Sequence, residues 1–303
     1  MCGIAGILNS GLHKEVLANI GQTMVSQLQH RGPDGHGIKI LDSRKSGNLM
    51  LVHTRLSIID LSENASQPMA SNDESIWISF NGEIYNYQEI REELITKGFI
   101  FKTASDTEVI INAYKQWGRN CFEKFIGMWA LALWDKNTDR LILSRDRLGV
   151  KPLYYAFDGN VLVFGSEPKV IIKQMPSTRK LNFRALSDYL SYRYVVDGSS
   201  FFSGIKSVSA GTNIIYDSEK LIEEQYWDLP IVKNKNDPGE KNAREKLEEL
   251  MVSSVEYRMI SDVPVGSFLS GGLDSSILVA LMANIHPDPI KTFTIGFDDK
   301  GFN

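Results

Sequence analysis

Met1-Cys2-Gly3-Ile4-Ala5-Gly6 opens the chain, and Ile4-Ala5-Gly6-Ile7-Leu8 extends it as an unbroken apolar run. A run of this length reads as a buried strand, which would fix Cys2 at the end of a sheet. Cys is small, so removal of Met1 is expected. Cys2 then carries both a thiol and a free α-amine. The thiolate is a strong nucleophile, and the amine, with a reference pKa of about 7.7–8.0, titrates close to where a general base works best. A nucleophile with its base built into its own backbone is an established catalytic arrangement. Six residues alone leave open that a Cys at this position is incidental, and the rest of the chain has to decide.

The totals narrow the classes. At 303 residues the chain suggests two domains, and 43% hydrophobic with 23% charged residues is ordinary for a soluble globular protein. A net charge of −4 argues against a nucleic-acid or anionic-membrane partner. The apolar run Met128 to Trp134 is far short of the roughly 20 residues of a membrane helix, and the N-terminus has no basic leader region. Two cysteines give no disulfide framework, which points to a reducing, cytoplasmic compartment. His13, His30, His36, His53 and His286 show no metal-ligand spacing.

Glu15 to Gln29 has helical apolar spacing and ends at His30-Arg31-Gly32-Pro33-Asp34-Gly35. Leu49 to Val52 is a short buried strand running into His53-Thr54-Arg55-Leu56-Ser57-Ile58-Ile59. Ile76 to Phe80 is another, closing on Asn81-Gly82-Glu83-Ile84-Tyr85-Asn86. Tyr87 to Lys97 reads as a helix, and Ser105 caps a second one over Val109 to Trp117. Polar groups therefore collect at or after strand and loop ends, where sites form. Arg55 offers a planar fork for a carboxylate. Glu83 and Asp106 could share one ammonium. Asn81 and Gly82 offer a side-chain amide and an unhindered backbone N–H, a donor pair suited to an oxyanion and worth about 3–4 kcal/mol per donor in other enzymes. Taken singly, Asn81-Gly82 also reads as a hairpin turn, Asp106 as a helix cap and Arg55 as a surface pair.

They do not stand singly. Cys2, Arg31-Gly32-Pro33-Asp34, His53-x-Arg55-Leu56-Ser57-Ile58, Asn81 to Asn86 and Ser105-Asp106-Thr107-Glu108 occur in this order. The set resembles the glutaminase domain of the class II, N-terminal-nucleophile (Ntn) glutamine amidotransferases, and is closest to the glutamine-hydrolysing asparagine synthetases. The resemblance implies a four-layer αββα sandwich of two antiparallel sheets. It implies that Cys2 attacks the glutamine amide, that Arg55 holds the α-carboxylate, and that Glu83 and Asp106 hold the α-ammonium. Asn81 and Gly82 would form the oxyanion hole, with Leu56, Ser57, Ile58 and Ile59 lining the pocket. Met128 to Trp134 and Leu141 to Ser144 read as paired scaffold strands, and Asn213 to Tyr216 as a last strand. Arg145 to Tyr155 carries the family's look; its interleaved basic, acidic and apolar residues favour a structural role over phosphate binding. Cys121, next to aromatics, reads as a packed thiol.

Lys233 to Glu245 has no large apolar residue and is the best linker. The expected domains are a glutaminase over 1–229, a linker over 230–242, and the N-terminal part of a second domain over 243–303. In the second, Val263 to Leu269 should end a buried strand, Ser270-Gly271-Gly272-Leu273-Asp274-Ser275-Ser276 is a small-residue loop, and Ile277 to Ile285 is a helix. Such a loop turns backbone N–H groups toward one point at a helix N-terminus, an anion cradle. It lacks the Gly-Lys-Ser/Thr ending of the common nucleotide loop. It resembles instead the pyrophosphate loop of ATP pyrophosphatases, including asparagine synthetases. The implied chemistry adenylates a carboxylate with ATP, with Asp274 as the Mg2+ ligand and the backbones of Leu269 and Ile295 holding adenine. Thr292 to Gly296 would be a second parallel strand of an α/β sheet. The resemblance continues past Asn303 in the family, so the second domain is expected to be truncated. The expected reaction joins ammonia from glutamine to ATP-activated aspartate, giving asparagine, AMP and pyrophosphate. Another carboxylate acceptor (a sugar acid or peptide) and a glutaminase-only fragment are the alternatives. Small-molecule substrates are the expected partners, and the resemblance allows a homodimer.

Overall fold

The computed structural model describes residues 1–9, 11–44, 47–196, 198–217, 220–230, 237–296 and 298. Residues 231–236 of the expected linker and the end of the expected second domain, 299–303, lie outside them. The chain divides into two units, Met1–Leu229 and Pro230–Asn303.

The first unit runs β1 (Gly3–Asn9), α1 (Lys14–Leu28), β2 (Gly35–Ser43), β3 (Gly47–Arg55), β4 (Met69–Ala70), β5 (Ile76–Ile84), α2 (Tyr87–Thr96) and α3 (Asp106–Trp117). It continues through α4 (Cys121–Lys124), β6 (Gly127–Asp135), β7 (Arg140–Arg145), β8 (Tyr154–Phe157), β9 (Val161–Gly165), α5 (Pro168–Gln174), α6 (Phe183–Tyr192), β10 (Lys206–Ser207), β11 (Thr212–Asp217) and β12 (Lys220–Gln225). Two six-stranded sheets result, in the orders β10-β8-β9-β1-β3-β2 and β12-β11-β7-β6-β5-β4. Their pairings are antiparallel.

The layering follows from the apolar runs. Side chains alternate across a strand, so a strand apolar at every position must be covered on both faces. On β1, Ile4 and Leu8 join Leu49 and Leu51 of β3 and Trp134, Leu141 and Leu143 of the other sheet in one core. The intervening Ala5 and Ile7 join Met50 and Val52 of β3 and Leu17, Met24 and Leu28 of α1 in another. One face of the first sheet thus packs on its partner sheet and the other on α1 and α5. On the second sheet α3 packs against β5, with α2 against α3. The architecture is an αββα sandwich.

Three sequence expectations need correcting here. β5 does not stop at Phe80 but runs to Ile84, because Asn81, Gly82, Glu83 and Ile84 pair with Ala130, Trp129, Met128 and Gly127 of β6. Asn81-Gly82 is therefore strand, not turn. Asn213 to Tyr216 is not the last strand of the unit: β12 pairs along its whole length with β11. β12 escaped notice because Lys220, Glu223 and Glu224 make it read as polar, the composition of an exposed sheet edge.

The second unit holds α7 (Glu240–Met259), β13 (Gly266–Phe268), α8 (Leu273–Ile285) and β14 (Lys291–Phe293), with β13 and β14 parallel. The third correction concerns β13, which is short and open rather than buried: Phe268 is 73% exposed. A strand is buried only when flanked by neighbours and covered on both faces, which this two-stranded sheet does not provide. Among the described residues no helix is long and apolar enough to cross a membrane.

Candidate active site

Cys2 stands just before β1, in the interior of the first sheet. The register of β1 with β3, Gly3 opposite Thr54, sets Cys2 beside the end of β3. There the Leu56 N–H donates to Sγ at 3.3 Å, and Sγ lies 3.5 Å from the Leu56 carbonyl. The backbone around it is pinned. Arg31 Nε donates to the Cys2 carbonyl at 3.0 Å, and Arg31 is itself paired with Glu167 at 3.1 Å. The Ile4 N–H donates to Ser166 Oγ at 3.0 Å. The stretch Phe164 to Lys169 therefore serves the N-terminus. Burial pushes the Cys2 thiol pKa up, and the Leu56 N–H partly offsets this.

The opposite sheet supplies Asn81, Gly82 and Glu83 from the end of β5. Gly82 admits no side chain: a Cβ there would fall on the Met128 carbonyl oxygen and come within 2.7 Å of the Trp129 Cα. Both amide atoms of Asn81 are buried with no protein partner among the described residues. An unpartnered buried amide costs about 1–3 kcal/mol, so the position favours a ligand that would bond it. The strand beneath is clamped. The Phe80 N–H donates to Gln67 Oε1 at 2.7 Å, and the Phe80 carbonyl lies 3.0 Å from His53 Nε2. Burial lowers the His53 pKa to about 4, so the ring is neutral and donates to that carbonyl through Nε2.

Asp106 is the first residue of α3, whose cap, Ser105, accepts the Thr107 N–H at 3.1 Å. Its Oδ2 accepts the Ile84 N–H at 3.0 Å, tying the helix to the end of β5. Burial raises the Asp106 pKa to about 6. Arg55 closes β3 and is held by the Ser62 and Asp60 carbonyls. One pocket gathers Cys2, Arg55, Leu56, Ser57, Ile58, Ile59, Asn81, Gly82, Glu83 and Asp106, which is every glutaminase position named from the sequence. Met1, Gln67, Thr107, Met128 and Lys151 also line it and were not foreseen. Gln67 lies in an irregular loop with no pattern to mark it. Lys151 sits inside the Arg145 to Tyr155 stretch. Asp146 organises that stretch, accepting the N–H groups of Trp129, Leu148, Val150 and Lys151 at 2.9–3.1 Å.

In the second unit, the Ser270 to Ser276 loop runs into α8, with Gly272 as its cap. Gly271 has φ +79°, a left-handed turn that suits glycine. Ser270 and Ser275 hydroxyls lie 3.1 Å apart, and Ser276 Oγ donates to the Gly272 carbonyl at 2.8 Å. Asp274 is exposed in the first turn of the helix. The Leu269 N–H is already bonded to the Phe293 carbonyl, and its own carbonyl accepts from Thr294 Oγ1, while Ile295 is exposed. Among the described residues no cluster of three or more His, Cys, Asp or Glu could hold a metal.

The glutamine amidotransferase domain family matches residues 1–227, and the asparagine synthase family matches residues 246–303. A Methanocaldococcus jannaschii relative, named provisionally as a glutamine-hydrolysing asparagine synthetase, is 40% identical over 319 residues, covering 99% of this chain and 60% of the relative. Bacillus subtilis asparagine synthetase [glutamine-hydrolyzing] 1 is 37% identical over 309 residues, covering 100% of this chain and 47% of that protein. The chain thus spans about half of the length of these relatives. Among solved structures, glutamine phosphoribosylpyrophosphate amidotransferase from B. subtilis superposes with a TM-score of 0.54 at 17% identity, covering 100% of this chain and 68% of the other, a likeness of fold.

Proposed function

Because the chain belongs to the glutamine amidotransferase domain family and carries an asparagine synthase match behind that domain, we propose that it is the glutaminase half, with part of the synthetase half, of a glutamine-dependent asparagine synthetase. The observation that carries this reading is the meeting of Cys2, from the first sheet, with Asn81-Gly82, from the second, in a pocket also lined by Arg55, Glu83 and Asp106.

After loss of Met1, the Cys2 amine takes the thiol proton and the thiolate attacks the amide carbon of glutamine. Asn81 Nδ2 and the Gly82 N–H stabilise the oxyanion that forms. The ammonium of the amine protonates the leaving nitrogen, ammonia departs, and water cleaves the thioester to release glutamate. Arg55 holds the substrate carboxylate, and Glu83 with Asp106 holds its ammonium. The two free cysteines fit a reducing, cytoplasmic setting. A homodimer is compatible with this reading.

In the second unit the Ser270 to Ser276 loop is the proposed pyrophosphate cradle for ATP, and aspartate the proposed acceptor. A lone exposed carboxylate, Asp274, fits a magnesium ion that takes its remaining ligands from ATP phosphates and water. There the ion would neutralise phosphate charge. With the Leu269 N–H spent within the sheet, the proposed adenine contacts fall to the Leu269 carbonyl and the Ile295 backbone.

The test is ammonia release from glutamine by the Met1-trimmed protein and its Cys2→Ala variant. Release that depends on Cys2 supports the reading. Equal release by both, or none from a folded and trimmed wild type, overturns it.

A further inference from the structure

Lys151 is a buried lysine that the reaction above leaves unused. It is 6% exposed, yet it lines the same pocket as Cys2. Its Nζ lies 3.4 Å from Met1 Sδ, the side chain that processing removes. Among the described residues no carboxylate lies within salt-bridge distance of it. The loop that carries it is rigid. Asp146 accepts the Lys151 N–H at 3.0 Å, and Arg145 Nε donates to the Lys151 carbonyl at 2.8 Å. A stiff loop thus holds an ammonium beside the chain's first residues.

We propose that Lys151 is an electrostatic positioning residue: its ammonium, held beside the amine that Met1 removal exposes, keeps that amine unprotonated and ready to act as the base for the Cys2 thiol. The proposal rests on the glutaminase reading. Arg31 is the other cation at this point; it shares Glu167 with His30 and Lys169 and acts on the N-terminal amine in the same sense as Lys151, and ahead of it. Asp34 lies on the same side and acts in the opposite sense. Arg55 and Asp106 act on the thiol, and Glu83 and Asp146 act on Lys151 itself. With Met1 still in place, burial lowers the pKa of the Met1 amine first, Cys2 opposes this, and the fields of Arg31 and then Lys151 add to the lowering. Burial lowers the Lys151 pKa as well, while Glu83, Cys2 and Asp146 act to retain its proton. A cation near an amine disfavours the amine's own protonation, so the neutral base persists to lower pH.

The experiment compares the pH profile of kcat/KM for ammonia release from glutamine in the wild-type chain, Lys151→Met, Lys151→Gln and Lys151→Arg, each confirmed by mass to lack Met1. The acid limb should move up by about one pH unit in the neutral variants, and Lys151→Arg should restore it. At pH 6.5 activity should fall roughly tenfold, while above the limb it should approach wild type. An unmoved limb in a neutral variant with an unchanged melting temperature overturns the proposal. So does an equal shift in Lys151→Arg, or the loss of cooperative melting in both neutral variants while Lys151→Arg folds, which would mark the role as structural. If the wild type shows no Cys2-dependent release, the glutaminase reading fails and this proposal with it. Cys2-dependent release with an unmoved limb sinks the Lys151 assignment alone.

Discussion

The first unit encloses its site and the second displays its loop. In residues 1–229, Cys2 is held by Leu56 and Arg31, Ser166 holds the adjoining Ile4, and Asn81 is buried opposite the fully buried Ala130 of β6. In residues 230–303, Val255 and Met282 are the buried apolar side chains among the described residues, while Phe268, Leu273 and Ile295 are each more than 70% exposed. Each fully buried Leu or Ile contributes about 1.5–3 kcal/mol, so in this chain, which spans about half of its relatives, the burial energy lies in the first unit. Both units carry recognisable motifs. The difference teaches that a motif declares its chemistry through local residue types, whereas a working geometry depends on the core behind it.

The contrast can be broken at several points. The largest expected effect is Cys2→Ala, which should abolish ammonia release from glutamine while leaving the thermal melt unchanged. Asn81→Ala should follow, lowering kcat by about 10²–10³-fold with a small change in KM, measured by steady-state ammonia release. On stability, Leu51→Ala in the inner core should cost about 2–5 kcal/mol by denaturant unfolding.

Asp106 supplies the pH test. Its folded pKa, about 6, lies above the ordinary value of 3.8, so between those values the native state holds a proton that the unfolded chain has lost. Stability from this group is therefore complete below about pH 4 and is lost as pH rises through 6. Asp106→Asn should stabilise the free protein at pH 7.5 by on the order of 1–3 kcal/mol and leave it unchanged at pH 4, while raising KM for glutamine. The smallest effect belongs to the second unit. Phe268→Ser should shift unfolding by no more than about 0.5 kcal/mol, as expected for an exposed side chain. A loss comparable to that of Leu51→Ala would show that this face is covered in solution and would dissolve the contrast.

Legibility in the sequence tracked the same division. β1, β3 and β6 were visible because strands covered on both faces must be apolar throughout. The residues that line the Cys2 pocket were legible from the order of motifs that carries the family resemblance, not from any one of them alone. β12 was hidden by its charges. The extension of β5 was hidden because Asn81-Gly82 is good turn chemistry, overridden here by pairing with Ala130 and Trp129. Lys151 was hidden among charges that serve the loop around Asp146. In the second unit the loop, helix and parallel pair were legible from residue types, but the openness of β13 was not, since periodicity reports what a strand could bury rather than what covers it.

The place of β1 between β3 and β9 has a consequence for synthesis. Ala5 faces Gly165 across the sheet, so β1 waits for a partner that emerges some 160 residues later. At about 5–20 residues per second that interval is roughly 10–30 s. During it the nascent Ile4 to Leu8 segment has β3 on one flank and an open hydrogen-bonding edge on the other. The β1 segment is thus translated well before the strand that closes its second flank, so the ribosome, and any chaperone waiting there, meets this sheet unfinished.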